Sequence, residues 1–416
     1  MTSSGPFLVS TASRLAHDPA LPGRDRLLDH AEVGAWFGTT AELQRVKYRW
    51  GESLRVLYRL GSREDPDQPQ RLVGGRTFHP AEVAGVAARA AAHTPPGTPP
   101  PRADHERHVV WWTFPDDRRL RHVAPRLVGP DAAAVVQYAP ERSVTLRLGP
   151  TSAPQGFAKV YAAGTVDTTR LASRYNVVSD WLARSGLSSP RALVDGPESL
   201  VLQAMPGTSW LVTQQSRLVP AMRELGQAIG QLHLARVEDP DAIGLTWFGR
   251  LEPARLARSG ELVARAVPAV SDLATRLADR LVATHRSDRV PVMLHGDCHP
   301  GNVLVSEDAV SLVDLDQSGL GAPAADLGSL LARLRYGALV GEPHADLAGT
   351  LAAGFLDGYA AVRFLPDDAD LRWHTAAALL AERALRAVNR VRPSGLNALD
   401  DVLRAGHSLL DGGSLT

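Results

Sequence analysis

Two stretches in the first half of the chain alternate apolar and polar residues as half-buried strands do. In residues 43–60, Val46, Tyr48 and Trp50 alternate, residues 51–53 reverse the chain, and Leu54, Val56, Tyr58 and Leu60 alternate again. Residues 135–148 repeat the shape, with Val136 and Tyr138, a turn at 140–142, then Val144, Leu146 and Leu148. A third strand is expected over 156–162. A short buried strand is expected over 199–205, where Pro206-Gly207 stops the run. The two hairpins read either as a weak internal repeat or as the ordinary likeness of one hairpin to another.

From residue 167 the spacing turns helical. Leu171, Tyr175, Val178 and Leu182 form one stripe behind a cap at Asp167 or Thr168. Residues 217–237 carry a second stripe of Leu218, Met222, Leu225, Ile229 and Leu232, and 251–284 a further helical segment. Short strands are expected at 290–294, 303–305 and 311–315, the last two joined by a turn at Glu307-Asp308. After Asp326 the pattern is helical over 327–335, 346–362, 372–391 and 396–410. Strands therefore dominate 43–205 and helices 207–416. The Pro-dense stretch 94–102 (TPPGTPPPR) reads as a loop or linker in the first part.

The length of 416 residues suggests two or three domains, and 44% apolar with 22% charged residues is ordinary globular composition. The 45 basic residues are balanced by 45 acidic ones, which argues against a nucleic-acid binder that works by neutralising phosphates. The longest apolar runs, such as 83–92 broken by Arg89, are too short for a membrane span. Residues 1–17 lack the charged start and apolar core of a secretory leader, so the expected location is cytoplasmic. A single cysteine, Cys298, excludes an intrachain disulfide and reads as a small loop residue. Only two of the basic residues are lysines, Lys47 and Lys159. A compact ammonium does work that a planar guanidinium does not, so both draw attention. Trp111-Trp112 reads as core of the first domain. Arg383, Arg386, Arg390 and Arg392 fall near one helical face, by default a solvated one.

The densest polar constellation is HGDCHPGN, His295 to Asn302, followed twelve residues later by Asp314 and then by Asp316. Asp297 follows a strand and a glycine, so its carboxylate projects from a tight turn. Asn302 starts the next strand after Pro300-Gly301 reverses the chain, and Asp314 lies near the end of the partner strand. A carboxylate, an amide oxygen and a second carboxylate thus meet. These are hard oxygen donors with a base beside them, the set that Mg²⁺ takes together with phosphate oxygens.

HGDCHPGN followed by LVDLDQSGLGAPAADLGSLL resembles the aminoglycoside phosphotransferase and choline kinase group of small-molecule kinases, over about residues 134–390. The resemblance implies an α+β, bilobal protein kinase-like fold with an additional N-terminal α+β domain. The accessory domain is expected at 1–125, a strand-rich nucleotide-binding N-lobe at 126–206, and a helical C-lobe with catalytic loop and acceptor site at 207–416. It implies ATP and Mg²⁺ as cofactors and phosphorylation of a hydroxyl on an antibiotic, aminosugar or sugar. It implies Asp297 as catalytic base, Asn302 and Asp314 as metal ligands, His295 as support for the loop, and Asp326 as the residue that holds the loop backbone. Asp316 fits a second acidic position common in the group, and His299 either faces the substrate or packs the loop.

Lys159 matches the lysine that meets the nucleotide α- and β-phosphates, Gln203–Met205 the hinge that holds adenine, and LGQAIGQLH (225–233) the first large helix of the C-lobe. Two features depart from the group. Residues 170–182 contain no glutamate to pair with Lys159, with Asp167 and Asp180 the only acids nearby. The loop before Lys159, residues 149–156 (GPTSAPQG), stands for the phosphate loop without its repeated glycines. The missing glutamate leaves room for an alternative, a pseudokinase-type nucleotide-binding regulatory or interaction protein. No protein partner is read from the sequence. Were the arginine face of 383–392 to line the cleft, it would suit a neutral or anionic acceptor rather than a polycationic aminoglycoside.

Overall fold

The computed structural model describes residues 14–61, 71–94, 98–128, 133–286, 290–307 and 309–415. Residues 1–13, part of the stretch read for a leader, lie outside the described residues, as do 95–97 of the Pro-dense stretch and Asp308 of the expected turn.

Two short helices, α1 (Arg24–Leu28) and α2 (His30–Phe37), precede a five-stranded antiparallel sheet. Its strands are β1 (Ala41–Arg49), β2 (Ser53–Leu60), β3 (Arg71–Thr77), β4 (Arg102–Asp104) and β5 (Val109–Thr113), with α3 (Val83–Ala91) between β3 and β4. A second sheet holds β6 (Ala134–Ala139), β7 (Ser143–Leu148), β8 (Gly156–Tyr161), β9 (Ala192–Gly196) and β10 (Ser199–Gln203), with α4 (Thr168–Ala183) between β8 and β9. The strand orders are β1-β2-β3-β5-β4 and β6-β7-β8-β10-β9. The same order with the helix inserted at the same point favours the repeat reading. Each expected hairpin forms the first two strands of its own sheet. β9 has only Ala192 buried and lies at the sheet edge, so its sequence lacks the alternation that marks the other strands.

The first sheet is covered on both faces. Trp111 packs edge-on against Trp36 and Phe37 of α2, while Trp112 on the opposite face donates its indole N–H to the Tyr138 hydroxyl at 2.8 Å. Both rings lie over Gly75 and Gly74, where a Cβ would stand 2.5 and 2.6 Å from the indole carbons. The tryptophans are core, as their sequence suggests, and the glycines are the space they need.

The rest of the chain is helical. It contains α5 (Gln215–Leu234), α6 (Pro253–Ala266), α7 (Ser271–Ala283), α8 (Pro323–Leu339), α9 (Ala348–Ala360), α10 (Asp368–Ala378), α11 (Leu385–Arg390), α12 (Pro393–Asn397) and α13 (Leu399–Leu410). Short strands β11 (Thr208–Ser209), β12 (Val292–Leu294), β13 (Val303–Val305), β14 (Val310–Leu312) and β15 (Gly319–Gly321) thread between them. The expected segment 251–284 is two helices because Pro268 interrupts it. The segment 372–391 is α10 and α11 joined through a π-helical turn, Leu379–Ala384. Among the described residues no helix is long and apolar enough to cross a membrane.

The first sheet touches both other parts. Val46, Leu54 and Val56 share a core with Leu256, Val263, Leu277 and Leu380 of the helical part. Leu57 joins Val144, Leu146 and Val160 of the second sheet. Burial of these side chains, each contributing about 1.5–3 kcal/mol, fixes β1 and β2 as one wall of the cleft described next.

Candidate active site

The loop after β12 is suspended from α8. Asp326, in the first turn of that helix, accepts the N–H groups of His295 at 2.7 Å and Gly296 at 2.9 Å. It also accepts His233 Nε2–H at 3.2 Å, while His233 Nδ1 meets the Tyr359 hydroxyl at 2.9 Å. Gly296 has φ +79°, and a Cβ there would stand 2.0 Å from the Gln317 carbonyl oxygen, so only glycine makes this bend. His295 is buried; its Nε2–H donates to Val313 O at 3.1 Å and its Nδ1 accepts the Asp297 N–H at 3.4 Å. The loop and the segment carrying Asp314 are thereby tied together. His299 Nδ1 accepts the Gly301 N–H at 3.0 Å and caps the turn Pro300–Asn302. Asn302 donates its amide N–H to Asp297 O at 3.0 Å, which leaves its amide oxygen as the atom suited to a metal.

Asp314 is not at the end of a strand, as its pattern suggests. β14 stops at Leu312, and Asp314 takes a left-handed conformation, φ +65°, that turns the chain toward the cleft. Lys159 Nζ lies 2.8 Å from Asp314 Oδ1 and 2.7 Å from Asp316 Oδ2. Burial weighs against its charge, but Asp316 and Asp314 outweigh burial and hold the ammonium above its ordinary value. The Tyr161 and Tyr175 hydroxyls donate to Asp316 at 3.1 and 3.0 Å, and the Tyr175 oxygen accepts the Leu315 N–H at 3.0 Å. The helix that lacks a glutamate therefore sends Tyr175 to this network instead. Its spacing marks it as core, and it is fully buried, with the hydroxyl doing the polar work.

The donor set suits Mg²⁺: two carboxylates and an amide oxygen, all hard ligands, beside a site that already attracts a cation. Among the described residues no three His, Cys, Asp or Glu side chains gather into a metal cage. Tyr175→Phe is expected to lower stability by about 1–3 kcal/mol, because the buried Leu315 N–H loses its acceptor and Asp316 loses a donor. Urea unfolding measures this, and an unchanged midpoint would count against the network.

Asp297, Lys159, Asp314 and Asp316 line one cleft of about 1000 Å³. Burial opposes ionisation of Asp297, but His299, Arg250 and Arg386 together keep its carboxyl below the ordinary value. Arg250 Nη1 lies 3.6 Å from Asp297 Oδ1 and 3.1 Å from Glu382 Oε1. Glu382 in turn accepts the Ser329 hydroxyl at 2.6 Å. His299 Nε2 lies 3.7 Å from Asp297 Oδ2, and burial pushes its ring down to about 4. It is therefore neutral, and serves both the loop cap and the base. Cys298 is buried with its thiol pushed well up, which fits a packing residue and no nucleophile. Arg250, Glu382, Tyr161 and Tyr175 carry no motif, and sequence reading misses them; the π-helical turn around Glu382 is the backbone feature that marks the place.

Three expectations change. Residues 149–155 connect β7 to β8 and do not line the cleft; the turn that does is the one between the first two strands of the second sheet, through Ala139, Glu141 and Arg142. Gln203 is exposed at the end of β10 and donates its N–H to Arg191 O at 2.9 Å; neither it nor half-buried Met205 lines the cleft. The arginine face of 383–392 is not a solvated one. Arg383 is buried, Arg386 and Arg390 line the cleft, and only Arg392 is exposed.

The model of the phosphotransferase enzyme family matches residues 141–365. A search of curated proteins finds no match. A microcompartment-associated aminopropanol kinase superposes with a TM-score of 0.51 at 19% identity, covering 71% of this chain and 98% of its own. An amicoumacin kinase solved in complex with AMP-PNP, Ca²⁺ and Ami gives 0.47 at 18% identity, over 70% and 92%. A macrolide 2′-phosphotransferase from Brachybacterium faecium gives 0.42 at 16% identity, over 80% and 99%. At these identities the likeness is one of fold, the bilobal α+β kinase-like fold, here preceded by the first sheet.

Proposed function

The chain belongs to the phosphotransferase enzyme family, and we propose that it transfers the γ-phosphoryl group of ATP to a hydroxyl of a small molecule. The observation that supports this most is that Asp297, Lys159, Asp314 and Asp316 face one cleft. An acceptor hydroxyl beside Asp297 passes its proton to the carboxylate as the oxygen bonds to the γ-phosphorus and the β–γ bridge breaks, leaving ADP. Asp297 is ionised for this role, and Arg250 and His299 restrict its side chain. Lys159 offsets charge on the α- and β-phosphates. Asn302 and Asp314 would hold magnesium, with Asp316 beside them; when bound, the ion supplies positive charge to the β- and γ-phosphates. Asp326 and His295 hold the loop so that these groups need not reorganise during the reaction.

The test is ADP release with ATP and Mg²⁺ across sugars, aminosugars, amino alcohols and aminoglycosides. Turnover that needs both an acceptor and Mg²⁺, and stops with EDTA, is the expected result. Tight AMP-PNP binding with no turnover on any acceptor would instead favour a nucleotide-binding regulatory protein.

A further inference from the structure

Away from Lys159, the cleft wall is assembled from three separate parts of the chain. β1 supplies Arg45 and Lys47, the β6–β7 turn supplies Arg142, and α11 supplies Arg386 and Arg390. Among the described residues no carboxylate forms an ion pair with any of these five. Glu141, next to Arg142 in the chain, is taken up by Arg55, Arg76 and Arg118 at 3.0, 2.8 and 2.6 Å. Arg390 reaches across to Val46 O at 3.1 Å, which holds α11 against β1. Arg45, Lys47, Arg142 and Arg390, with Arg55, also ring a side recess of about 20 Å³ that contains no acid.

A protein of zero net charge has no general reason to crowd four half-buried cations, Arg45, Lys47, Arg386 and Arg390, beside an exposed fifth, Arg142. Like charges in a concave, poorly solvated site repel one another and focus the field on whatever enters. The nucleotide machinery, Lys159, Asp297, Asn302 and Asp314, lies within residues 141–365, while four of these five cations lie outside that range. Both of the chain's lysines line this one cleft, at its two ends of function. Arg386 lies near both Asp297 and Arg390, since its charge is felt at each.

We infer that the acceptor is a small anion, a hydroxyl compound bearing a phosphate or carboxylate group, held by Arg45, Lys47, Arg142, Arg386 and Arg390 with its hydroxyl toward Asp297. This rests on the phosphotransferase reading above. It assigns the first sheet a role in acceptor selection, and it excludes polycationic aminoglycosides.

The experiment saturates the full-length protein with AMP-PNP and Mg²⁺, then titrates sodium sulfate against sodium chloride of equal ionic strength, by calorimetry and thermal shift. Sulfate is expected to bind and to raise the melting temperature. Lys47→Gln and Arg390→Gln should each weaken sulfate about tenfold with AMP-PNP affinity unchanged. Burial, then Arg49, Arg142, Arg55 and Arg390, push Lys47 down to about 8. Sulfate affinity should therefore fall as pH rises from 7 to 9, and Lys47→Arg should flatten that fall. In turnover, a sugar phosphate or sugar acid should exceed its neutral parent in kcat/KM. If AMP-PNP binds and sulfate does not, or if the variants weaken both alike, the anion inference is overturned and the kinase reading stands. If AMP-PNP does not bind and no acceptor yields ADP, both are overturned.

Discussion

Asp297→Asn is expected to lower kcat about 10²–10⁴-fold while the protein stays folded and AMP-PNP binding is retained. The substitution keeps the side-chain volume and removes only the charge and the proton-accepting oxygen. The backbone contacts of residue 297, its N–H to His295 and its carbonyl from Asn302, do not depend on the side chain. The carboxylate's own partners, Arg250 and His299, stand at 3.6 and 3.7 Å, beyond hydrogen-bond range, so little folding energy rests on them. The loss should therefore appear in kcat and not in the urea midpoint or in KM for ATP. A coupled ADP assay on an acceptor found by the screen reads it directly. A variant with unchanged kcat would show that the proton leaves by another route, and the role given to Asp297 would fail.

Much of this arrangement is legible in the amino-acid sequence. The loop from His295 to Asn302 is legible because its chemistry depends on residue types at fixed spacing along one turn. The hairpins 43–60 and 135–148 are legible because strand alternation is a local property, and both stand where expected. What fails is whatever depends on parts of the chain meeting. Tyr175 sits on an apolar stripe, and nothing local says that its hydroxyl meets Asp316. Residues 149–156 lie next to Lys159 in sequence, but the turn between the sheet's first two strands covers the cleft. The arginines of α11 look like a solvated face because the sheet that covers them is more than three hundred residues earlier in the chain. Arg390 bonds to Val46, a contact that no periodicity encodes. The absent helix glutamate has the same origin: Lys159 finds its carboxylates on the segment after β14 and has no need of the helix.

Asp326→Asn is expected to cost about 3–5 kcal/mol of stability and most of the activity together, in contrast to Asp297→Asn. Asp326 is wholly buried and receives three N–H donors, from His295, Gly296 and His233. An amide presents one oxygen and one NH₂ in place of two acceptor oxygens, so a donor is left facing a donor. Two of the three donors belong to the loop that carries Asp297 and Asn302, and the third belongs to α5, so loop position and helix packing loosen at once. His233→Gln, which disturbs only one contact, should cost less and leave kcat nearer to wild type. The pH dependence follows from the same pair. Burial works against the Asp326 charge, but His233 and the loop N–H groups outweigh it, so its carboxyl stays below its ordinary 3.8. Burial holds the His233 ring below its ordinary 6.5, neutral in the fold. The unfolded chain therefore takes up a proton at His233 below about pH 6.5, and at Asp326 below about 3.8, more readily than the folded one. Stability that is complete above pH 6.5 should decline as pH falls from 7 to 5, and decline again below 4. Asp326→Asn should shrink the lower step, which Asp297 and Glu141 share, and leave the upper one. Urea midpoints measured across that range separate the two steps, and a lower step undiminished in Asp326→Asn would place the acid sensitivity wholly on the other carboxylates.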